Sequence, residues 1–260
     1  MVSADGRLLR LVPREAEPSI TAWSGPFRIV VQAVHSRRSF ATGVSDCQLD
    51  LLVHWEPRYP VYRLVTAPEI TEARDSLGRK LTASEHKSYQ YPAAAAAEMT
   101  VHLQGVQRAA QAIAQLKGSF RVTMTNRLLS ISWVKAPGGA SVAQTVDGLE
   151  FTWKTLRYNT ALRNWEVELE WVYPANHPHF DSFEESKWLR DVQIHWRTAE
   201  GKLVRPRGEE IYASGRRVYA SCLFPEGIDP QSKGWTLVLT TPAPLREADV
   251  PFLLRDIPLP

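Results

Sequence analysis

The chain has 260 residues, 44% of them hydrophobic and 23% charged, with 14 Gly, 18 Pro and 9 Trp. That balance suits a globular protein and excludes a disordered chain, a collagen or a coiled coil. The 31 Lys and Arg against 28 Asp and Glu leave a net charge of +3, too even for a partner bound through nucleic-acid phosphates. No apolar run approaches the ~20 residues of a transmembrane helix.

The opening MVSADGRLLRLVPREAEPSI has neither the basic start nor the apolar core of a secretory leader, and Arg7–Pro13 reads like the middle of a strand. Residues 1–24 are therefore expected to be a lead-in truncated from an upstream module. Alternation then dominates. Phe27, Ile29, Val31 and Ala33 share one phase, and so do Cys47, Leu49, Leu51, Val53 and Trp55, against polar Gln48, Asp50 and His54. A period of two places such sets on opposite faces of a strand. Residues 93–99 and 106–116 are rich in alanine and carry helix propensity, although Pro92, Gly105 and Gly118 interrupt them. Phe120, Val122 and Met124 return to alternation.

Lys135–Ala140 pairs Pro137 with Gly138 and Gly139, which marks a hinge-permitting linker and a boundary near residue 138. Asp147-Gly148 supplies the positive φ angles of a tight hairpin. Beyond it, Trp165, Val167, Leu169, Trp171 and Tyr173 oppose Asn164, Glu166, Glu168 and Glu170, the pattern of a half-buried antiparallel strand. Ser182-Phe-Glu-Glu185 has capping-box spacing and predicts a short helix. Runs at Val192–Trp196 and Trp235–Leu239 complete a rhythm of strands about every 8–15 residues. The expected fold is all-β. It comprises two tandem antiparallel β-sandwich (Ig-like) domains over 25–137 and 138–260, with at most one or two short helices.

Cys47 and Cys222 fall in different halves, each midway along a strand-like run, and are expected as buried free thiols. No nucleophile elbow, zinc helix, Cys-x-x-Cys, phosphate loop or EF-hand loop occurs, so no catalytic residue, metal or cofactor is assigned. The sharpest polar cluster is His177, His179 and Asp181, which has metal-ligand chemistry but reads first as a surface loop. Glu184/Glu185 and Glu209/Glu210 read as solvated charges, because adjacent acids usually point apart. Trp55, Trp153, Trp165, Trp171, Trp196 and Trp235 lie in phase with core positions. Trp23 and Trp188 do not, and are the candidates for an exposed aromatic contact.

Four phrases carry a resemblance: Trp55-Glu-Pro-Arg-Tyr-Pro60, Ala73-Arg-Asp-Ser-Leu-Gly78, Leu116-Lys-Gly118, and the final Val250–Pro260. Together they resemble an uncharacterised family of envelope or secreted proteins from planctomycete-type bacteria, over about Gly25 to the C-terminus. The resemblance implies an extracytoplasmic, β-rich protein and brings no known activity. Bottom-up, Pro57 stops a strand, Asp75–Gly78 builds a turn, and Val250, Phe252, Leu254 and Ile257 are expected to complete the second domain's core from an extended edge segment. The expected function is non-enzymatic: a structural or interaction module holding a protein partner by loops or a strand edge. The alternatives are a carbohydrate- or peptidoglycan-binding module using Trp23 or Trp188, and a hydrolase with a site at the domain interface near His177.

Overall fold

The computed structural model describes residues 19–38, 41, 45–84, 88–134, 141–178, 185–232 and 234–260. The first strands are β1 (Thr21–Ser24), β2 (Phe27–Arg38), β3 (Ser45–Trp55), β4 (Val61–Val65) and β5 (Glu69–Asp75). Then come β6 (Thr82–Ala83), β7 (Tyr89–Gln90), β8 (Ala96–Gln104), β9 (Ala112–Met124) and β10 (Leu128–Trp133). They are followed by β11 (Val142–Val146), β12 (Leu149–Asn159), β13 (Asn164–Val172) and the 3-10 segment Glu185–Asp191. The last are β14 (Gln193–Arg197), β15 (Leu203–Val204), β16 (Gly208–Ser214), β17 (Arg217–Pro225), β18 (Thr236–Pro242) and β19 (Arg246–Pro258). The protein is all-β.

Every strand pairing is antiparallel, and the strands form four sheets ordered β1-β2-β3-β8-β6, β19-β9-β4-β7 with β5 also on β9, β10-β18-β14-β15, and β11-β12-β13-β17-β16. The first two sheets enclose one core, where Ile29, Leu49 and Val53 meet Leu116, Phe120 and Phe252. The other two enclose a second, tryptophan-rich core of Trp133, Trp153, Trp171, Trp188 and Trp196. Turn chemistry follows the sequence. Asp147 and Gly148 take φ of 53° and 79° between β11 and β12. At the second turn, Asp75 Oδ1 accepts from the Leu77 and Arg79 amides at 3.0 and 2.9 Å, while Gly78 takes φ 78°.

The expected domain limits need three corrections. First, β1 belongs to the first sheet and places Ala22 in its core, so part of the expected lead-in is integral to the sandwich. Second, Leu129, Ile131 and Trp133 of β10 enter the second core. Lys135–Ala140, which lies outside the described residues, therefore joins two strands flanking that core instead of separating two domains.

Third, Val250, Phe252, Leu254 and Ile257 fill the first core and not the second, because β19 pairs with β9. The second sandwich is thus inserted between two neighbouring strands of the first. Phe252 lies opposite Gly118, and a Cβ there would stand 2.5 Å from the Glu69 carbonyl oxygen and 3.1 Å from Phe252 Cζ. The glycine of Leu116-Lys-Gly118 is required by this close approach.

The alanine-rich stretches are not helical and run into strands β8 and β9, from Ala96 and Ala112 onward. Tertiary pairing overrides their propensity, and β8 buries Ala97, Met99, Val101 and Leu103 in strict alternation. Helical geometry appears only as the single 3-10 segment among the described residues. Both cysteines are buried and unpaired, and burial pushes the Cys222 thiol up to about 12.

The chain crosses between the sandwiches twice, around Thr125–Arg127 and around Ala243–Leu245. The Thr125 hydroxyl lies 2.9 Å from the Arg127 carbonyl and 3.1 Å from that of Pro244. The Tyr62 hydroxyl, from the first sandwich's side, donates to Asp191 Oδ2 of the 3-10 segment at 2.7 Å.

On β13, the polar phase is more than a solvated face. Glu166 and Glu170 are each 8% exposed. Asn159 and Arg157 hydrogen-bond to Glu166, and Lys154 and Arg217 pair with Glu170. The Asn159 amide and the Arg157 guanidinium hold the Glu166 carboxyl below its usual range, and the Lys154 ammonium does the same for Glu170. A carboxyl depressed on folding stabilises the native state above its unfolded value, near 4.5. That contribution is lost as pH falls through the lower folded value. The expected result is a melting temperature that drops more steeply from neutral pH to about pH 3 in the native chain than in the Glu166→Gln/Glu170→Gln variant. Parallel pH profiles for the two chains would count against it.

Candidate binding surface and junction clefts

The outer face of the β1-β2-β3-β8-β6 sheet is mostly polar because the main apolar phase of its strands points inward, Val30 and Leu52 being apolar exceptions on it. Its registers put Trp23 opposite Arg28, Arg28 opposite His54, and His54 opposite Ala96. These four side chains form one row across four strands, at the sheet end nearest the second sandwich. Trp23 is 72% exposed, and the Arg28 guanidinium lies 5.7 Å from its ring centroid, a cation–π arrangement that orients the indole. Further along the face, Asp50 accepts from Gln48 Nε2 at 2.8 Å and lies 3.1 Å from His35 Nε2.

The other candidate tryptophan is a correction. Trp188 is 2% exposed: the 3-10 segment lays its ring edge-on against Tyr173, with centroids 5.3 Å apart at 87°. It closes the end of the second core and offers no contact surface. Trp55, Trp153, Trp171 and Trp196 are buried as their phase predicts, Trp133 joins them, and Trp165 and Trp235 pack half-buried against the same core.

His177 is not on an exposed loop. It is 6% exposed, its amide donates to the Pro174 carbonyl at 3.0 Å, and its ring sits 3.9 Å from that of Tyr173. His179 and Asp181 lie outside the described residues, as does Glu184. Among the described residues no three His, Cys, Asp or Glu side chains gather as metal ligands. Glu209 and Glu210 are exposed on the edge strand β16.

Two clefts mark the junction of the sandwiches. The larger, about 1060 Å³, is lined by Arg63, Arg127, Asp147, His177, Arg246 and Glu247 among others. Its acids are committed: Asp147 pairs with Arg127, and Glu247 accepts from Arg63 at 2.7 Å. The Tyr173 phenol beside them is raised by burial and lies 2.9 Å from the Pro242 carbonyl. The smaller cleft, about 330 Å³, is walled by Trp55 and Ala93–Ala95 on one side and by Lys187, Arg190 and Asp191 on the other. Its carboxylate is bound by Tyr62. Among the described residues these arrangements present no nucleophile poised beside a base.

Sequence reasoning missed Arg28, Lys187 and Arg190. Arg28 and His54 were legible as the polar phase of their strands, but their alignment with Trp23 depends on register across three strand pairs. Comparison with protein-family models, curated proteins and solved structures returns no match.

Proposed function

We propose that this chain is a non-enzymatic binding module of the bacterial cell envelope whose ligand is a cell-wall glycan, held on the outer face of the β1-β2-β3-β8-β6 sheet. The observation that carries this is Trp23, 72% exposed on a mostly polar sheet face. An indole contributes most to stability when buried, so one left in water and oriented by Arg28 is available for stacking against the apolar face of a pyranose. Gln48, Asp50 and His54 supply donors and acceptors for sugar hydroxyls on the same face. The extracytoplasmic setting is part of the proposal and rests on the family resemblance.

The test is calorimetric titration with soluble peptidoglycan fragments. Binding is expected, and Trp23→Ala should weaken it about tenfold, ~1.4 kcal/mol, with the melting temperature unchanged. Absence of binding, or equal affinity in the variant, overturns the reading.

A protein partner docked by strand addition has one observation in its favour. β16 is an open edge of seven residues carrying Tyr212, which is 52% exposed. Crosslinking in intact cells separates the two readings. Glycan fragments joined near Trp23 favour the first, and one or two specific envelope proteins joined to β16 favour the second.

A further inference from the structure

The row that begins at Trp23 does not stop at the sheet. Its last member, Ala96, continues directly into Ala93–Ala95, and the Ala95 carbonyl accepts the Trp55 amide at 3.2 Å. Those alanines and Trp55 are one wall of the smaller junction cleft. The row spans three strand spacings, about 14 Å, so the exposed indole and the cleft lie within reach of a single short oligosaccharide. Three consecutive alanines leave that wall without side chains long enough to fill the space opposite it.

Cations outnumber acids along this track: Arg28, Lys187 and Arg190 stand against Asp191. Arg28 forms no ion pair among the described residues and lies over Trp23. Lys187 and Arg190, on the far wall, likewise form none among the described residues, and the Lys187 ammonium stands 5.4 Å from the Tyr91 ring centroid. Asp191, the acid lining the cleft, is engaged by the Tyr62 hydroxyl at 2.7 Å. A carboxylate adds what a neutral sugar cannot, charge pairing with Lys187 and a two-pronged hydrogen bond from Arg190.

We propose that the ligand is an acidic glycan, bound with one sugar on Trp23 and a carboxylate in the cleft between Lys187 and Arg190. This inference rests on the glycan reading above and assigns the ligand's charge and direction along the row.

The experiment titrates the full chain with soluble peptidoglycan fragments and with the same fragments after methyl esterification of their carboxylates. The acid form is expected to bind about tenfold tighter, with the gap narrowing as salt is raised. Lys187→Ala/Arg190→Ala should abolish the gap, whereas Trp23→Ala should weaken both forms alike and preserve it. The melting temperature of each variant is read alongside. Equal binding of acid and ester, untouched by Lys187→Ala/Arg190→Ala, overturns the acidic-glycan inference and leaves the glycan reading standing. Failure of both forms to bind removes both.

Discussion

A chain ending at residue 137 will not unfold cooperatively, even though its sequence reads as one complete sandwich. It lacks β19, and with it Val250, Phe252, Leu254 and Ile257, all buried in the first core. Each such side chain contributes about 1.5–3 kcal/mol by burial, and four together rival the ~5–15 kcal/mol that holds a whole domain. The loss also strips β9 of its longest pairing, twelve registered positions from Arg246↔Met124 to Pro258↔Ala112. Urea titration followed by circular dichroism should show a broad, non-sigmoidal change in the shortened chain and a sharp one in the full chain. Adding a peptide of residues 246–260 should restore the sharp transition by supplying the strand from outside. A sharp transition in the shortened chain alone would mean that β19 is dispensable to the first core.

Trp153→Ala should cost about 3–5 kcal/mol, the largest effect expected of a single substitution. The indole is wholly buried, edge-on to Trp196 at 5.5 Å and to Trp133 at 6.1 Å, and so ties together the two sheets that enclose the second core. It also secures an irregularity in β12. The register with β13 shifts between Trp153 and Thr155, and the indole N–H donates to the Thr155 carbonyl across that bulge at 2.8 Å. Alanine removes both the packing and the donor. Trp153→Phe keeps part of the ring volume but not the donor, and should fall between the two. Denaturant midpoints at constant slope measure the series; a loss under about 1 kcal/mol for alanine, the ordinary size of a point-mutation effect, would show that the cluster repacks.

Period-two alternation predicted the faces of β3, β13 and β18 residue by residue. In β2 it held only to Val31, beyond which a bulge turns Val34 and not Ala33 to the core. Asp147-Gly148 marked the turn between β11 and β12, and Gly78 the turn after β5. Alternation reports which side of a strand is buried, never which sheet receives it. The partner of β19 was therefore hidden: Arg121 and Asp249, which share a hydrogen bond across the β9–β19 pair, are 128 residues apart. The proline and glycines of 135–140 pointed to a boundary because such residues punctuate any connection, including one between strands of the same core. The two tryptophans outside the alternation were read alike and differ. Trp23 sits in the outward phase of a four-residue strand too short to display its period, whereas Trp188 sits on a 3-10 turn whose direction only Tyr173 and the rest of the core determine. The acids of β13 were legible as a polar row, but not the lysine and arginines that cover them, which come from β12 and β17.

Two chain crossings, stitched by one threonine hydroxyl, connect the sandwiches side by side. A single covalent crossing acts as a swivel, since rotation about a few backbone bonds meets little resistance. Two parallel crossings behave as a strap with width: twisting one sandwich against the other must stretch one crossing and compress the other, and the Tyr62–Asp191 contact adds a third point of attachment off that axis. Tension applied to one sandwich by a tethered polymer therefore passes to the other as torque on a stiff lever. A ligand spanning both bodies meets walls already aligned, with no swivelling freedom to surrender on binding.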